Sequence, residues 1–452
     1  MNNNTQKDVL IIGGGWAGLS AAIKLIDNGK SVCILEAAKQ LGGRARQVQY
    51  KQHNVDNGTH IMVGAYTETL RLINKVHTIT RIGAPSKFNE SNILERQGLN
   101  LHYKQNNNAI SIPHISLPAP FNIIFSFLFT KGITIREKFL ILSLGSKIKL
   151  NRIKLSSDIG LKEFLIQQQQ TEKIIQIIWE PLCLAIMNTP IKSTSTEIFL
   201  HVIKEAFFKS RCASDLLLFK TNLSNTFPTP AQNYIKKHGG EIKYIQAVAS
   251  LKKEQDYYIA STRTHSFQAK EIIIATAPIA TKKILESLAP NAALETLLNQ
   301  LAQFNYQPIC TVYLQYPDSV QCERTMQGFI GTTAQWMFDK SLTNQAGFIS
   351  IIISSEGSHM EWDNPKLIKE VTNELNQFYP DWPQPIDAFV IREKRATFTA
   401  SVNINRIRPT NKTAINNIWL AGDYTNTQYP ATLEGAVRSG LLCAEQILLE
   451  SP

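Results

Sequence analysis

Three groups of residues in this chain have types and spacings that can do chemistry. The first is Gly13-Gly14-Gly15-Trp16-Ala17-Gly18, a G-x-G-x-x-G turn between the apolar run Asp8 to Ile12 and a helical stretch, Leu19 to Asn28, that ends at Gly29. A second apolar run, Ser31 to Leu35, finishes in Glu36. Strand, glycine turn, helix, strand and acid is the order in which a βαβ unit holds a dinucleotide. Gly13 permits the tight turn, Gly15 lets a pyrophosphate approach the backbone, and Gly18 lets helix and strand pack closely. Trp16 and Ala17 lie within the turn ahead of the helix, whose free N–H groups and dipole favour an anion. Glu36 suits the hydroxyls of an adenosine ribose, and its carboxylate would repel a 2′-phosphate, which argues against NADP.

The second group closes the chain. Asn417 to Ala421 reads as a strand that stops at Gly422-Asp423, passes through a polar loop containing Pro430, and opens a helix at Ala431-Thr432-Leu433. Alone, Gly-Asp after a strand is ordinary turn chemistry, since Gly supplies unusual dihedrals and Asp bonds its own backbone. The third group is scattered acids and aromatics in apolar settings, among them Glu180, Asp339 and Tyr424.

These residues need a large scaffold, and the composition provides one. With 452 residues, 43% of them hydrophobic, the chain can bury a sizeable core and should form two domains or one interleaved unit. Met1 to Lys7 is polar and Val9 to Ile12 is a short strand, so no signal peptide is read and a cytoplasmic location is expected. Six cysteines lie far apart with no C-x-x-C pair, which predicts free, mostly buried thiols and neither zinc nor a dithiol motif. No metal site is expected.

The formal net charge is +11, and basic residues gather at Lys131, Arg136, Lys138, Lys147, Lys149, Arg152 and Lys154 against Glu137 alone. Phe121 to Thr130 and Phe139 to Gly145 interleave with them. Neither run approaches the ~20 apolar residues of a membrane span. Segment 117–154 therefore fits either a helix lying on an anionic membrane surface or a core helix with a solvated basic face. No motif suggests nucleic acid.

Which dinucleotide binds is indicated by Leu41-Gly42-Gly43-Arg44-Ala45-Arg46, just behind Glu36. This L-G-G-R-x-R run resembles the flavoprotein amine oxidase and phytoene desaturase superfamily. The resemblance implies FAD, with Ala37 near the adenosine, Gly43 and Ala45 offering backbone, and Arg44 near the diphosphate. Asp56-Asn57-Gly58-Thr59-His60 matches the D-x-G-x-H pattern that the superfamily carries beside the flavin. Val248, in Ala247 to Leu251, resembles a residue whose backbone touches adenine. Gly422 and Asp423 then belong near the ribityl chain and diphosphate, while Ala431, Thr432 and Leu433 aim a helix N-terminus at the flavin pyrimidine edge, where a dipole stabilises the charge of the reduced ring.

The resemblance implies an α/β (α+β) fold in which a discontinuous Rossmann-like FAD domain, near 1–75, 225–290 and 395–452, interleaves with a substrate domain of mixed sheet and helices at 76–224 and 291–394. More specific likenesses follow in chain order: Trp179 to Pro190 (WEPLCLAIMNTP), Ser214 to Leu218 (SDLLL), Ala334 to Asp339 (AQWMFD) and Arg392 to Phe398 (REKRATF). With Asp56 to Thr69 and the terminal PATLEGAVRSG, they resemble the hydroxysqualene dehydroxylases of that superfamily. Thr59 stands where that pattern has Gln and Tyr424 where it has Trp.

That likeness implies reductive removal of an allylic hydroxyl from hydroxysqualene or a related long isoprenoid, with reduced FAD giving hydride. Hydroxide leaves poorly, so an acid must protonate it. Asp339, Glu180 and Tyr424 are the candidate acids, and Trp336, Phe338 and Trp179 are aromatics that could shield an allylic cation. A polyene desaturase and a non-enzymatic flavoprotein scaffold are the competing readings. The implied partners are the isoprenoid, the inner face of an anionic membrane, and neighbouring squalene-forming enzymes.

Overall fold

The computed structural model describes residues 6–450 apart from 79, 82–83, 86–88 and 106–107. Met1 to Thr5, part of the polar start, lie outside the described residues. The first strand, β1 (Lys7–Ile12), forms because Val9, Leu10, Ile11 and Ile12 are apolar on both faces, as a strand covered from both sides requires. Helix α1 (Trp16–Ile26) returns the chain to β2 (Val32–Leu35), which lies parallel to β1.

On the far side β1 pairs in parallel with Ser266–Ile274, which in turn pairs in parallel with Ile418–Leu420, while Glu241–Lys243 extends the sheet beyond β2. Register makes this sheet a site. Ile12 is level with Leu35 and with Ile274, and Ile274 is level with Leu420. Four strands therefore end along one line, and the chain leaves them at Gly13, Glu36, Ala275 and Ala421. The crevice beyond such carboxyl ends is where open α/β sheets bind ligands. The sheet draws on residues 7–35, 241–274 and 418–420, with Tyr257–Thr262 and Val248–Glu254 as an antiparallel extension.

A second seven-stranded sheet runs Asn108–Ile112, Leu101–Gln105, Met326–Phe329, Trp336–Asp339, Phe348–Ser354, Tyr306–Gln315 and Asp387–Phe398. Helix Asn364–Phe378 covers one face, where Leu367, Val371 and Leu375 pack on Val312, Met337 and Ile351. The other face carries Tyr103, Trp336, Phe338 and Ile352, which join a core shared with the helices that hold Trp179 and Phe199. Strand Asp387–Phe398 crosses the boundary expected at 394/395, so one strand serves both halves of the molecule.

Two further features position the site. Helix α2 (Thr67–His77) follows the D-x-G-x-H loop, and its N-terminus receives the carboxylate of Glu434. Helices α3 (Phe121–Leu128) and α4 (Ile135–Lys149) form a hairpin in the basic segment. The α4 start is fixed by a capping box between Thr134 and Glu137. Its face of Ile141, Leu144 and Ile148 is buried, whereas Phe121, Phe125, Phe129, Ile135 and Phe139 stand exposed. No helix among the described residues is long and apolar enough to cross a membrane. All six cysteines are free; Cys212 is exposed and Cys322 half-buried, the others buried. No cluster of metal-binding side chains occurs among the described residues.

Candidate cofactor site and the facing sheet

The glycine turn has the geometry its residues predict. Gly13 (φ +111°) donates from its N–H to Leu35 O at 2.8 Å, and a Cβ on Gly18 would stand 2.1 Å from Gly13 O. Helix α1 begins after Gly15 with no side-chain cap and no acid in its first turn, although Trp16, Ala17 and Gly18 are buried. A buried helix N-terminus without a cap leaves N–H groups unpaired unless an anion takes them.

The second glycine pair supplies the opposite wall. Gly42 N–H donates to Gly14 O at 2.9 Å, and a Cβ on Gly43 would lie 3.3 Å from the Gly15 Cα. Two backbones thus face each other without side chains, the cradle a diphosphate needs. Trp16 Nε1 donates to Ala45 O at 3.1 Å and ties the two loops together. Glu36 accepts from Gly14 N–H and Ala38 N–H, both at 2.7 Å, which holds its carboxylate at the end of β2 with lone pairs to spare for a ribose. Glu36 also bonds through its backbone to Lys243 and Gln246, so the segment leading into Val248 runs beside Glu36 and Ala37.

The two ends of the chain meet at Arg44. Its guanidinium donates to Asp423 Oδ2 at 2.6 Å and to Ala396 O at 2.6 Å. Burial alone would lower the Arg44 pKa, but the charge and hydrogen bond of Asp423, joined by the charges of Glu393 and Tyr306, raise it, so the cation is held. Gly422 N–H donates to Ser439 Oγ at 2.9 Å, and buried Arg408 donates to the carbonyls of Tyr424, Asp423 and Thr425. Three carbonyls of this loop are thus held by one buried guanidinium. Helix Leu433–Glu450 starts just beyond, where Thr432 Oγ1 accepts from Gly435 N–H at 3.1 Å and the preceding residue is Ala431.

Asn57, Gly58, Thr59 and His60 lead from this cradle to the second sheet. Asn57 Nδ2 donates to Arg44 O and to Glu393 Oε2, and Thr59 Oγ1 shares a 2.7 Å hydrogen bond with Ser350 Oγ. His60 contacts Gly58 O at 3.0 Å, and burial lowers its pKa, which keeps the imidazole neutral. Asp56 is buried, accepts from Leu223 N–H at 2.9 Å, and has its carboxyl pKa raised by burial.

The three expected acids lie on separate elements. Tyr424 is fully buried behind the Gly-Asp turn, its ring edge-on to Phe304 and its hydroxyl 3.3 Å from Thr281 Oγ1. Burial raises its pKa, and its ring packs beside the Gly-Asp turn. Glu180 opens helix Glu180–Met187 among the charges of Lys162, Glu172 and Lys192; burial raises its pKa. Asp339 ends its strand with Oδ1 accepting from Ser341 N–H at 2.9 Å. Of the aromatics, Trp336 and Phe338 share the inner sheet face, while Trp179 donates to Gln170 Oε1 at 2.9 Å and stacks edge-on with Phe199 in the helix layer.

Sequence reasoning passed over three residues. Lys340 is buried at 8% exposure beside Asp56, Thr59, His60 and Phe338, and strand alternation from Trp336 through Phe338 could have found it. Arg408 and Glu434 were passed over because most of their partners, the carbonyls of Asp423, Tyr424 and Thr425 and the start of α2, are brought in by the fold. The motifs that recur together do so because they touch: Asn188 of the WEPL segment donates to Thr397 Oγ1 of the REKRATF segment at 2.9 Å, and Gly64 N–H bonds Asp215 O at 2.9 Å.

Comparison with known proteins agrees with this geometry. The chain is 27% identical to the hydroxysqualene dehydroxylase of Zymomonas mobilis, across 98% of this chain and 99% of that protein. It is 22% identical to the zeta-carotene desaturase of Solanum lycopersicum, across 96% of this chain and 79% of that protein. Among solved structures, an oxidoreductase from Methanosarcina mazei superposes with a TM-score of 0.75 at 15% identity, covering 97% of this chain and 100% of that one. The cyclohexylamine oxidase of Brevibacterium oxydans gives 0.70 at 16%, covering 98% and 99%. The flavin-containing amine oxidoreductase model matches residues 16–448; the chain therefore belongs to that family, and it is an FAD-dependent oxidoreductase.

Proposed function

We propose that this enzyme removes the allylic hydroxyl of hydroxysqualene reductively, releasing squalene and water. The observation that carries the reading is the end-to-end match with a hydroxysqualene dehydroxylase, 98% of one chain against 99% of the other, whereas the desaturase extends well past this chain. The inner sheet face supports it. Tyr103, Trp336, Phe338 and Ile352 form an apolar wall suited to an isoprenoid and to shielding positive charge on its allylic carbons.

Bound FAD in its reduced form supplies the hydride. The chain's own contribution is to hold the cofactor and to exclude water. Arg44 and the uncapped start of α1 would hold the diphosphate, Glu36 and Asp423 would accept from cofactor hydroxyls, and the start of helix Leu433–Glu450 would favour charge on the pyrimidine side of the ring. The substrate would arrive from a bilayer. Phe121 and Phe125 on α3 and Phe129 just after it stand exposed, and exposed Lys147, Lys149 and Arg152 flank the hairpin, a surface suited to the anionic cytoplasmic face of a membrane. There the enzyme would sit near those that form its substrate.

The test is a single anaerobic turnover. Enzyme reduced beforehand should convert hydroxysqualene to squalene while the flavin reoxidises in step. A polyene desaturase, the reading favoured by the zeta-carotene desaturase match, would instead dehydrogenate squalene or a carotene precursor from the oxidised enzyme and leave the alcohol untouched. Neither reaction, from a flavin-loaded protein, would leave the scaffold reading.

A further inference from the structure

The inner sheet face carries Tyr103, Trp336, Phe338 and Ile352, with Ser350 beside Phe338 bonded to Thr59, and one cation. Strand Trp336–Asp339 alternates, so Trp336 and Phe338 point to the shared core while Met337 packs on the opposite face against Ile351. Lys340 continues that register: its N–H donates to Phe348 O at 2.9 Å, one step past the Asp339–Ile349 pair. Its side chain consequently falls on the side of Trp336 and Phe338. It lines a recess of about 30 Å³ with Asp56, Thr59, His60, Phe338 and Asp339, room for about one or two waters.

Lys340 is 8% exposed, yet among the described residues its Nζ has neither a hydrogen bond nor an ion pair. A buried cation without a partner costs several kcal/mol. The charge of Asp56 offsets part of that cost, and a Met would fill the apolar part of the space without incurring it.

We propose that Lys340 is the proton donor of the substrate recess and that Asp56 restores its proton. This rests on the dehydroxylase reading. As the allylic C–O bond breaks, a proton passes from Lys340 Nζ, directly or through one water, to the hydroxyl oxygen, which leaves as water. The lysine becomes neutral and the positive charge moves to the allylic carbons beside Trp336 and Phe338, where hydride from reduced FAD completes the new C–H bond. Alcohol, hydride and proton thus give alkene and water, and the atoms and charges balance.

The electrostatics of the recess agree with this assignment. Burial lowers the Lys340 pKa, with Asp56 opposing, and burial raises that of Asp56, so both groups are pushed towards their neutral forms. That is the condition for passing a proton between them. His60, from the loop after Asp56, is kept neutral by burial and does not compete. Asp339, on the same strand, spends Oδ1 on Ser341 N–H, and its charge reaches Cys322.

Two measurements test the proposal. In protein carrying ¹³Cε-lysine, the Lys340 signal, assigned by its loss in Lys340→Met, should titrate below the ordinary value of about 10.4, and lower still in Asp56→Asn. In single turnovers of reduced enzyme, Lys340→Met should slow alcohol consumption about 10²–10⁴-fold with the flavin spectrum unchanged. Lys340→Arg, which keeps the charge but cannot release a proton, should be equally slow. Wild-type rate in Lys340→Arg, or an ordinary titration of Lys340, would overturn the assignment. Wild-type enzyme inert towards the alcohol would sink the dehydroxylase reading and the donor role with it, whereas an active wild type matched by Lys340→Met sinks Lys340 alone.

Discussion

The cofactor crevice and the facing sheet solve opposite problems. Along the crevice each charged group has a fixed partner: Arg44 on Asp423, Glu36 on two backbone N–H groups, Arg408 on three carbonyls. The sheet face offers mostly rings and aliphatic chains, with Ser350 bonded to Thr59 and Lys340 without a hydrogen bond or ion pair among the described residues. A polar ligand of fixed shape is recognised by directional bonds that must be preorganised. A long hydrocarbon is recognised by area, which is non-directional and tolerant of side-chain exchange.

The largest effect that would break this contrast comes from one methyl group. Gly18→Ala puts a Cβ 2.1 Å from Gly13 O, so α1 and the turn cannot both keep their places. The variant should purify colourless or unfold, read by flavin absorbance and a melting curve. Phe338→Leu on the sheet face should cost less than about 1.5 kcal/mol and keep the flavin. Equal tolerance at both positions would remove the distinction.

The same contrast explains what could be read from the residues in order. The parallel strands, the glycine turns and the acids at strand ends are local patterns, and Gly13, Gly18, Glu36 and Asp423 stand where those patterns put them. Side-chain partnerships across hundreds of residues are not local. Glu434 illustrates this: fully buried, it accepts from Glu68 N–H, Thr69 N–H, Thr69 Oγ1 and Arg438 Nε, yet in the sequence it is an ordinary acid in the first turn of a helix. Asp339 of AQWMFDK lines the same recess as Phe338 and Lys340, with its Oδ1 accepting from Ser341 N–H. One position separates a turn-capping carboxylate from a buried cation.

Asp423→Asn is the next largest test. It leaves the shape of the loop but removes the charge that holds Arg44, and a hydrogen bond to a charged group is worth about 1.5–3 kcal/mol. Flavin should dissociate about 10–100-fold more readily, measured by the return of fluorescence on dilution. Glu36→Ala should weaken flavin retention to a similar degree. Unchanged affinity in both would mean that the glycine backbones alone hold the cofactor.

Lys340 makes a smaller prediction of opposite sign. Its folded-state pKa is depressed, so at neutral pH the unfolded chain binds that proton more readily than the folded one. The resulting deficit in stability is full below the folded pKa and is recovered as pH rises towards the ordinary lysine value. Lys340→Met should therefore melt higher than wild type at pH 7, with the gain shrinking towards about pH 10. A lower melting point at pH 7 would mean that the cation is structurally satisfied, and the sheet face would then differ less from the crevice than its geometry implies.

The hairpin carries the smallest expected effect on the fold, and the comparison reaches its limit there. Phe125 and Phe129 stack on each other at 6.3 Å with both rings exposed, so they give little to folding. Changing both to Ser should shift stability by no more than about 0.5 kcal/mol each. The cost of their exposure is offset only if something apolar covers them, and the exposed cations of α4 and its exit suit an anionic surface. Vesicles containing anionic lipid should bind the wild type, less so as salt rises. Replacing Lys147, Lys149, Arg152 and Lys154 by Gln should remove about 1 kcal/mol of that binding per residue. Binding that ignores both the rings and the charges would mean the hairpin faces water or protein. The apolar sheet face would then have to receive its substrate by another route.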